Sequence, residues 1–187
     1  MDIKLLDKPD EIRQKFIERF VMPWEEFQVV QKEWISEMSK GNYSIDIEWY
    51  KRAYMWDKMS ADFPRVSMKE ALDFLRERNN DVLFMSEDVS HHAPRHLFLQ
   101  NKKHIGFIAQ TASIELATLV EKEWFESDIA YEQNMSNHLP ILPTDLYVFD
   151  FSLNWCVVFT HETTDLVHEP DITIETADNR YCIICSL

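Results

Sequence analysis

Two groups of histidines, a cysteine pair and several spaced carboxylates are the residues whose types and spacing could do chemistry. His91, His92 and His96 form H-H-x-x-x-H. On a helix, His92 and His96 would share a face and could bind zinc. Glu87 and Asp88 lie near enough in sequence to add a carboxylate. Pro94 falls between the histidines and disfavours helical backbone at Ala93. The cluster is therefore expected in an ordinary exposed loop. A metal-assisted enzyme using His91, His92 and His96 stands as the alternative function, not the first choice.

His161-Glu162-Thr163-Thr164-Asp165 resembles the zinc-protease pattern H-E-x-x-H with Asp for the last His. That chemistry needs a helix, so that both ligands point the same way. Here the motif closes a β-rich run, and two adjacent threonines oppose a helix. On a strand, His161 is expected to share a face with Trp155, Val157 and Phe159, as a hydrogen-bonded structural residue at the strand's end. Cys182-Ile183-Ile184-Cys185 has the spacing of a redox pair, but the redox motif opens a helix. In a strand, positions three apart face opposite sides, so both thiols read as core residues. Cys156, in an apolar run, reads the same way. Asp145 and Asp150 flank one strand, and Glu162 and Asp165 lie beyond the next. Glu169, Asp171 and Glu175 fall on one face if their segment is extended. Such an edge is protected by charge against sheet-to-sheet association. No nucleophile–base–orienter set is recognisable.

The elements that must position these groups follow from periodicity. Asp7-Lys8-Pro9-Asp10 predicts a helix start capped by Asp7, with Ile12, Phe16 and Phe20 on one face. Pro23 restarts the pattern, and Phe27, Val30, Trp34 and Met38 make an apolar stripe that Gly41 ends. Trp49–Met59 predicts a helical turn leading into a short strand. Ser67-Met68-Lys69-Glu70 is a capping box, opening a helix that ends at Asn79-Asn80. Val82–Met85 reads as a buried strand. His96–Gln100 and His104–Gln110 read as a hairpin around Asn101-Lys102-Lys103. A long helix starts at about Ser113, with Leu116, Ala117, Val120 and Trp124 on its apolar side. Leu146–Phe149 and Trp155–Thr160 are expected to pair, Asp171–Thr176 to form an edge strand, and Tyr181–Cys185 a final buried strand. The fold class expected is α+β: N-terminal helices packed on a largely antiparallel sheet, as a single domain over 1–187. Residues 1–45 form its helical part, and 46–187 its sheet with two further helices.

Bulk properties set outer limits. The chain has 187 residues, enough for a full core without staples. Its two glycines, Gly41 and Gly106, lie 65 positions apart, which excludes glycine-rich phosphate loops and a G-x-S-x-G elbow. The longest apolar runs, Trp155–Phe159 and Tyr181–Cys185, span five residues, against ~20 for a membrane helix. Three cysteines suit a reducing compartment. No signal-peptide pattern opens the chain, so a cytoplasmic protein is expected.

The formal net charge is -14. Nucleic acid and anionic membrane surfaces repel such a chain. Residues 1–110 hold 19 acids and 17 bases, whereas residues 111–187 hold 14 acids against Lys122 and Arg180. So one-sided a block must borrow bases from the N-terminal part, stay solvated, or meet a cationic partner.

Asp145–Thr163 reads D-L-Y-V-F-D-F-S-L-N-W-C-V-V-F-T-H-E-T. It resembles the end of a small bacterial family of unknown function, in which a D-x-Y-x-x-D strand, a turn and a W-to-T-H-E-T strand follow one another. Ala53-Tyr54-Met55-Trp56 matches a second aromatic segment of that pattern. The resemblance implies a bacterial cytosolic α+β protein and transfers no catalytic residue. The function expected is a non-enzymatic protein-binding module, immunity- or antitoxin-like, that docks a basic protein partner. Its acidic face would include Glu162, Asp165, Glu169, Asp171 and Glu175. No cofactor is expected.

Overall fold

A computed structural model describes residues 2–41, 44–87, 107–132, 142–143, 145–163 and 180–187. Along the chain run β1 (Lys4–Leu5), α1 (Pro9–Phe20), α2 (Trp24–Val30), α3 (Lys32–Ser39) and α4 (Ile47–Arg52). A 3-10 turn (Trp56–Lys58), β2 (Arg65–Val66), α5 (Met68–Arg78), β3 (Asp81–Ser86) and β4 (Ile108–Ala112) follow. The remainder comprises α6 (Ser113–Glu132), β5 (Leu146–Phe149), β6 (Trp155–Thr163) and β7 (Arg180–Ser186). The strands form one sheet in the order β1-β4-β3-β5-β6-β7-β2, and each adjacent pair is antiparallel. The fold is α+β, with N-terminal helices on an antiparallel sheet.

Helices cover both faces of the sheet. Val82 and Phe84 of β3 pack with Leu72 and Leu75 of α5 and with Leu116 and Val120 of α6. Leu83 and Met85, pointing the other way, pack with Phe16 and Phe20 of α1. Burial on both faces explains why the central strands read as unbroken apolar runs. Cys182 belongs to the first cluster and Cys185 to the second, so the pair is divided by the sheet. Burial pushes the Cys156 thiol well up, which keeps it protonated and unreactive. A smaller cluster of Met22, Phe27 and Ile45, with Trp24, Trp49 and Tyr50 against it, joins α2 to α4.

Helix ends follow local chemistry. Ser67 accepts from Glu70 N–H, while the Glu70 carboxylate accepts from Ser67 N–H at 2.8 Å, which closes the expected capping box of α5. Asn79 ends that helix in the left-handed region at φ 43°, a conformation asparagine tolerates better than most residues.

Several expectations are corrected. Lys8, not Asp7, precedes the first turn of α1, and no side chain caps it. The Phe27–Met38 stripe is divided between two helices that meet at Gln31, where ψ is 19°. Phe27 is buried, whereas Val30, Trp34 and Met38 are exposed. Beyond that junction the Trp34 ring still packs on Phe27 and Trp49, so the stripe covers the small cluster only in part. Trp49–Met59 holds α4 and the 3-10 turn, with Met59 contributing only an isolated bridge to Val21. That makes α4 a third helix after residue 45. β4 starts at Ile108 and pairs with β3 and β1. The other hairpin arm, His96–Gln100, and the expected edge strand Asp171–Thr176 lie outside the described residues, as does the Trp124 side chain.

Candidate functional site

The antiparallel order β3-β5-β6 brings the end of β3, the start of β5 and the end of β6 to one edge of the sheet, with Ser86 opposite Leu146 and Leu146 opposite Phe159. Residues there need not continue the apolar pattern, and charged groups gather. They are Glu87 after β3, Asp145 before β5, and His161 and Glu162 on β6. Asp57 and Lys58 come from the 3-10 turn that crosses this edge.

Arg13, buried on α1, donates from Nη2 to the Ser86 carbonyl at 2.8 Å and from Nη1 to the Glu87 carbonyl at 3.0 Å. These bonds satisfy the backbone where β3 ends. The Glu87 carboxylate accepts from Met55 N–H at 2.7 Å and from the Tyr147 hydroxyl. The Tyr147 oxygen in turn accepts from Trp56 N–H at 3.2 Å. The crossing segment is thus held by side-chain acceptors rising from the sheet. Burial pushes the Glu87 carboxyl up, although its bonds to Tyr147 and Met55 oppose that rise. Burial, and then the Glu87 charge, push the Tyr147 hydroxyl well up, so it stays a donor.

His161 and Asp145 form a second unit. Asp145 accepts from His161 backbone N–H at 2.8 Å, and its two oxygens lie 2.9 and 3.0 Å from Nδ1. These contacts at Nδ1 fix the orientation of the imidazole. The ring lies 4.8 Å from Tyr54 and 5.9 Å from Trp56, the latter edge-on. Tyr54 and Trp56 are stacked at 5.5 Å with 8° between planes. Strand alternation would put His161 with Trp155, Val157 and Phe159, which pack under α5 and α6. Instead it meets rings on the α1 side. The cause is an irregularity in β6–β7 register between Phe159 and Thr163, which re-aims the side chains beyond it.

Asp57 accepts from Tyr54 N–H at 3.2 Å. Burial pushes its carboxyl from 3.8 to about 6, and the Glu162 charge adds to the rise. The Tyr54 bond, Lys58 and His161 pull the other way without cancelling it. Burial lowers the Lys58 ammonium, which donates to the Tyr50 carbonyl at 3.3 Å and sits over the Tyr50 ring.

Of the expected acidic face, Glu162 is placed here, half-buried. Asp165, Glu169, Asp171 and Glu175 lie outside the described residues, as do His91, His92 and His96. Among the described residues, no group of three or more His, Cys, Asp or Glu is arranged to hold a metal ion. Sequence spacing points to Glu87 only as a carboxylate beside the histidine cluster, and to Tyr54 and Trp56 only as part of an aromatic segment; Asp57 and Arg13 were not legible as site residues. Arg13 offered one faint signal, a charge three positions before Phe16 on a helix whose core stripe it borders. Chemically, the site offers carboxylates, aromatic faces and an oriented imidazole. The nearby Thr160 hydroxyl is occupied by the Tyr181 carbonyl at 2.6 Å. No family model, curated protein or solved structure matches the chain.

Proposed function

We propose that the protein is a non-enzymatic binding module whose acidic sheet edge docks a basic protein partner, in the manner of an immunity or antitoxin protein. One observation carries the reading: Asp57, Glu87, Asp145 and Glu162 gather at a single edge of the sheet, and the Asp57 carboxyl is raised to about 6 by burial and by its anionic neighbour. A cationic surface placed there offsets the repulsion between these carboxylates and gains by steering. Lys58 offsets part of this charge and Arg13 donates to backbone carbonyls beside it, but several bases of the opening helices are engaged elsewhere. Lys8, Lys40 and Lys51 pair with acids three residues away, and Lys4 with Asp2. Arg76 does reach Glu121 at 2.6 Å, but on the opposite side of the sheet.

Calorimetric titration with a lysine- and arginine-rich peptide, and with its glutamate-substituted counterpart, tests this. The basic peptide is expected to bind, and to bind more weakly as salt rises from about 0.05 to about 0.5 M. Equal affinity for both peptides, or indifference to salt, refutes docking by charge.

A further inference from the structure

We infer that Cys156, Cys185 and Met59 form a buried all-sulfur seat for one soft monovalent ion, Cu(I), near the start of β6 and away from its charged end at His161. The seat goes beyond docking and does not depend on it.

Sheet register puts the two thiols side by side. Cys156 on β6 lies directly opposite Cys185 on β7, and residues so paired share a face of the sheet. Both belong to the core cluster under α1, and so does Met59. The Cys185 Sγ lies 3.9 Å from the Met59 Sδ, and the Cys156 thiol is hydrogen-bonded to Cys185. Met59 is fixed from its own side. Its N–H donates to the Trp56 carbonyl at 3.3 Å, and it bridges to Val21. All three residues are 0% exposed. Two strands and a turn thus hold three neighbouring sulfurs in one dry place.

The same register decides which chemistry the thiols suit. Leu187 N–H donates to the Asn154 carbonyl at 3.0 Å, so the pair two steps before Cys156–Cys185 is a hydrogen-bonded one. Hydrogen-bonded and non-hydrogen-bonded pairs alternate along an antiparallel ladder, which makes Cys156–Cys185 hydrogen-bonded too. Such pairs stand about 5.5 Å apart at Cα, the wider of the two spacings, with their side chains farther apart. A disulfide wants Cβ atoms about 3.8 Å apart. Both cysteines are free. A gap too wide for a sulfur–sulfur bond suits an ion bonded to both sulfurs.

The donor set selects the ion. Thiolate and thioether sulfurs are soft and favour Cu(I). Structural zinc takes four ligands, and among the described residues no group of three or more His, Cys, Asp or Glu is arranged to hold a metal. Charge agrees, because an unbalanced charge in an apolar core is costly. Cu(I) displaces the proton of the thiol it binds most directly. One positive and one negative charge then cancel, and the second thiol and the thioether complete the shell as neutral donors. The thiol pair lies two positions in from the exposed Asn154 and Leu187, so an ion reaches it from the rim without crossing the core.

The test titrates the full chain, reduced and free of oxygen, with Cu(I) held by bicinchoninate, whose colour reports the ion it keeps. Wild type is expected to withdraw one equivalent. Cys156→Ala and Cys185→Ala should each weaken binding at least about 100-fold, since even the supporting residues of a metal site are worth about 10- to 100-fold. Met59→Leu, close in volume, should weaken it about 10-fold. Cys182→Ala, on the other face of the sheet, should change it less than about twofold. Urea unfolding shows which variants are folded. Where an alanine variant is not, Met59→Leu and X-ray absorption of Cu(I)-loaded wild type decide, the latter expected to show a shell of sulfur alone. Three results overturn the seat: wild type binding no tighter than the Cys156→Ala, Cys185→Ala double variant, an equal loss in Cys182→Ala, or a shell containing histidine nitrogen. None of them touches the docking of a basic peptide, which the calorimetric titration decides separately.

Discussion

Replacing Asp57 by asparagine should make the protein more stable at neutral pH. In the folded chain the carboxyl titrates at about 6 instead of 3.8, because burial penalises its charge and Glu162 repels it. Between those two values the folded state holds a proton that the unfolded state has released. Stability therefore falls as pH rises through that window, and the loss is complete above about 6. At 1.36 kcal/mol per pH unit the full effect would be roughly 3 kcal/mol. Solvent still reaches part of the group, and screening reduces this to about 1–2 kcal/mol. Asparagine is uncharged and keeps an oxygen to accept from Tyr54 N–H, so it escapes the penalty without losing the bond. Urea unfolding of both proteins at pH 5 and pH 7.5 is the assay. At pH 7.5 the variant's midpoint should lie about 0.5–1 M higher, and at pH 5 the gain should be about half as large. A variant less stable than wild type at pH 7.5, or a gain that does not vary with pH, refutes the electrostatic account. If the gain appears while peptide affinity drops, the carboxylate is kept for binding at the expense of stability.

Two further outcomes follow from the supports of the site. Tyr147→Phe removes the hydroxyl that links Trp56 N–H to Glu87 and leaves both without that partner. The expected cost is about 1–3 kcal/mol in urea unfolding, with weaker basic-peptide binding as the crossing segment loosens. Ser67→Ala opens the capping box of α5, on the far side of the sheet. It should cost about 1 kcal/mol and leave peptide affinity unchanged, so the pair separates damage to the fold from damage to the site.

The sequence by itself determined most of the secondary structure. Val82–Met85, Leu146–Phe149 and Trp155–Phe159 are apolar runs too short for helices, bounded by polar residues. They became the central strands because burial on two faces demands such runs. The Ser67–Glu70 box set the start of α5 from four residues of local chemistry. The surplus of acid after Thr111 is likewise a matter of counting. The site was not legible, because its parts are distant in sequence. Asp145 and His161 are 16 positions apart, and Glu87 and Met55 are 32 apart. Only strand order makes them neighbours. Period-two reasoning also sent His161 to the wrong face, since the β6–β7 irregularity shifts alternation by backbone geometry that side-chain pattern does not encode. Local free-energy preferences are written in neighbouring residues, whereas a cluster of charges exists only after the sheet has chosen which strand ends lie side by side.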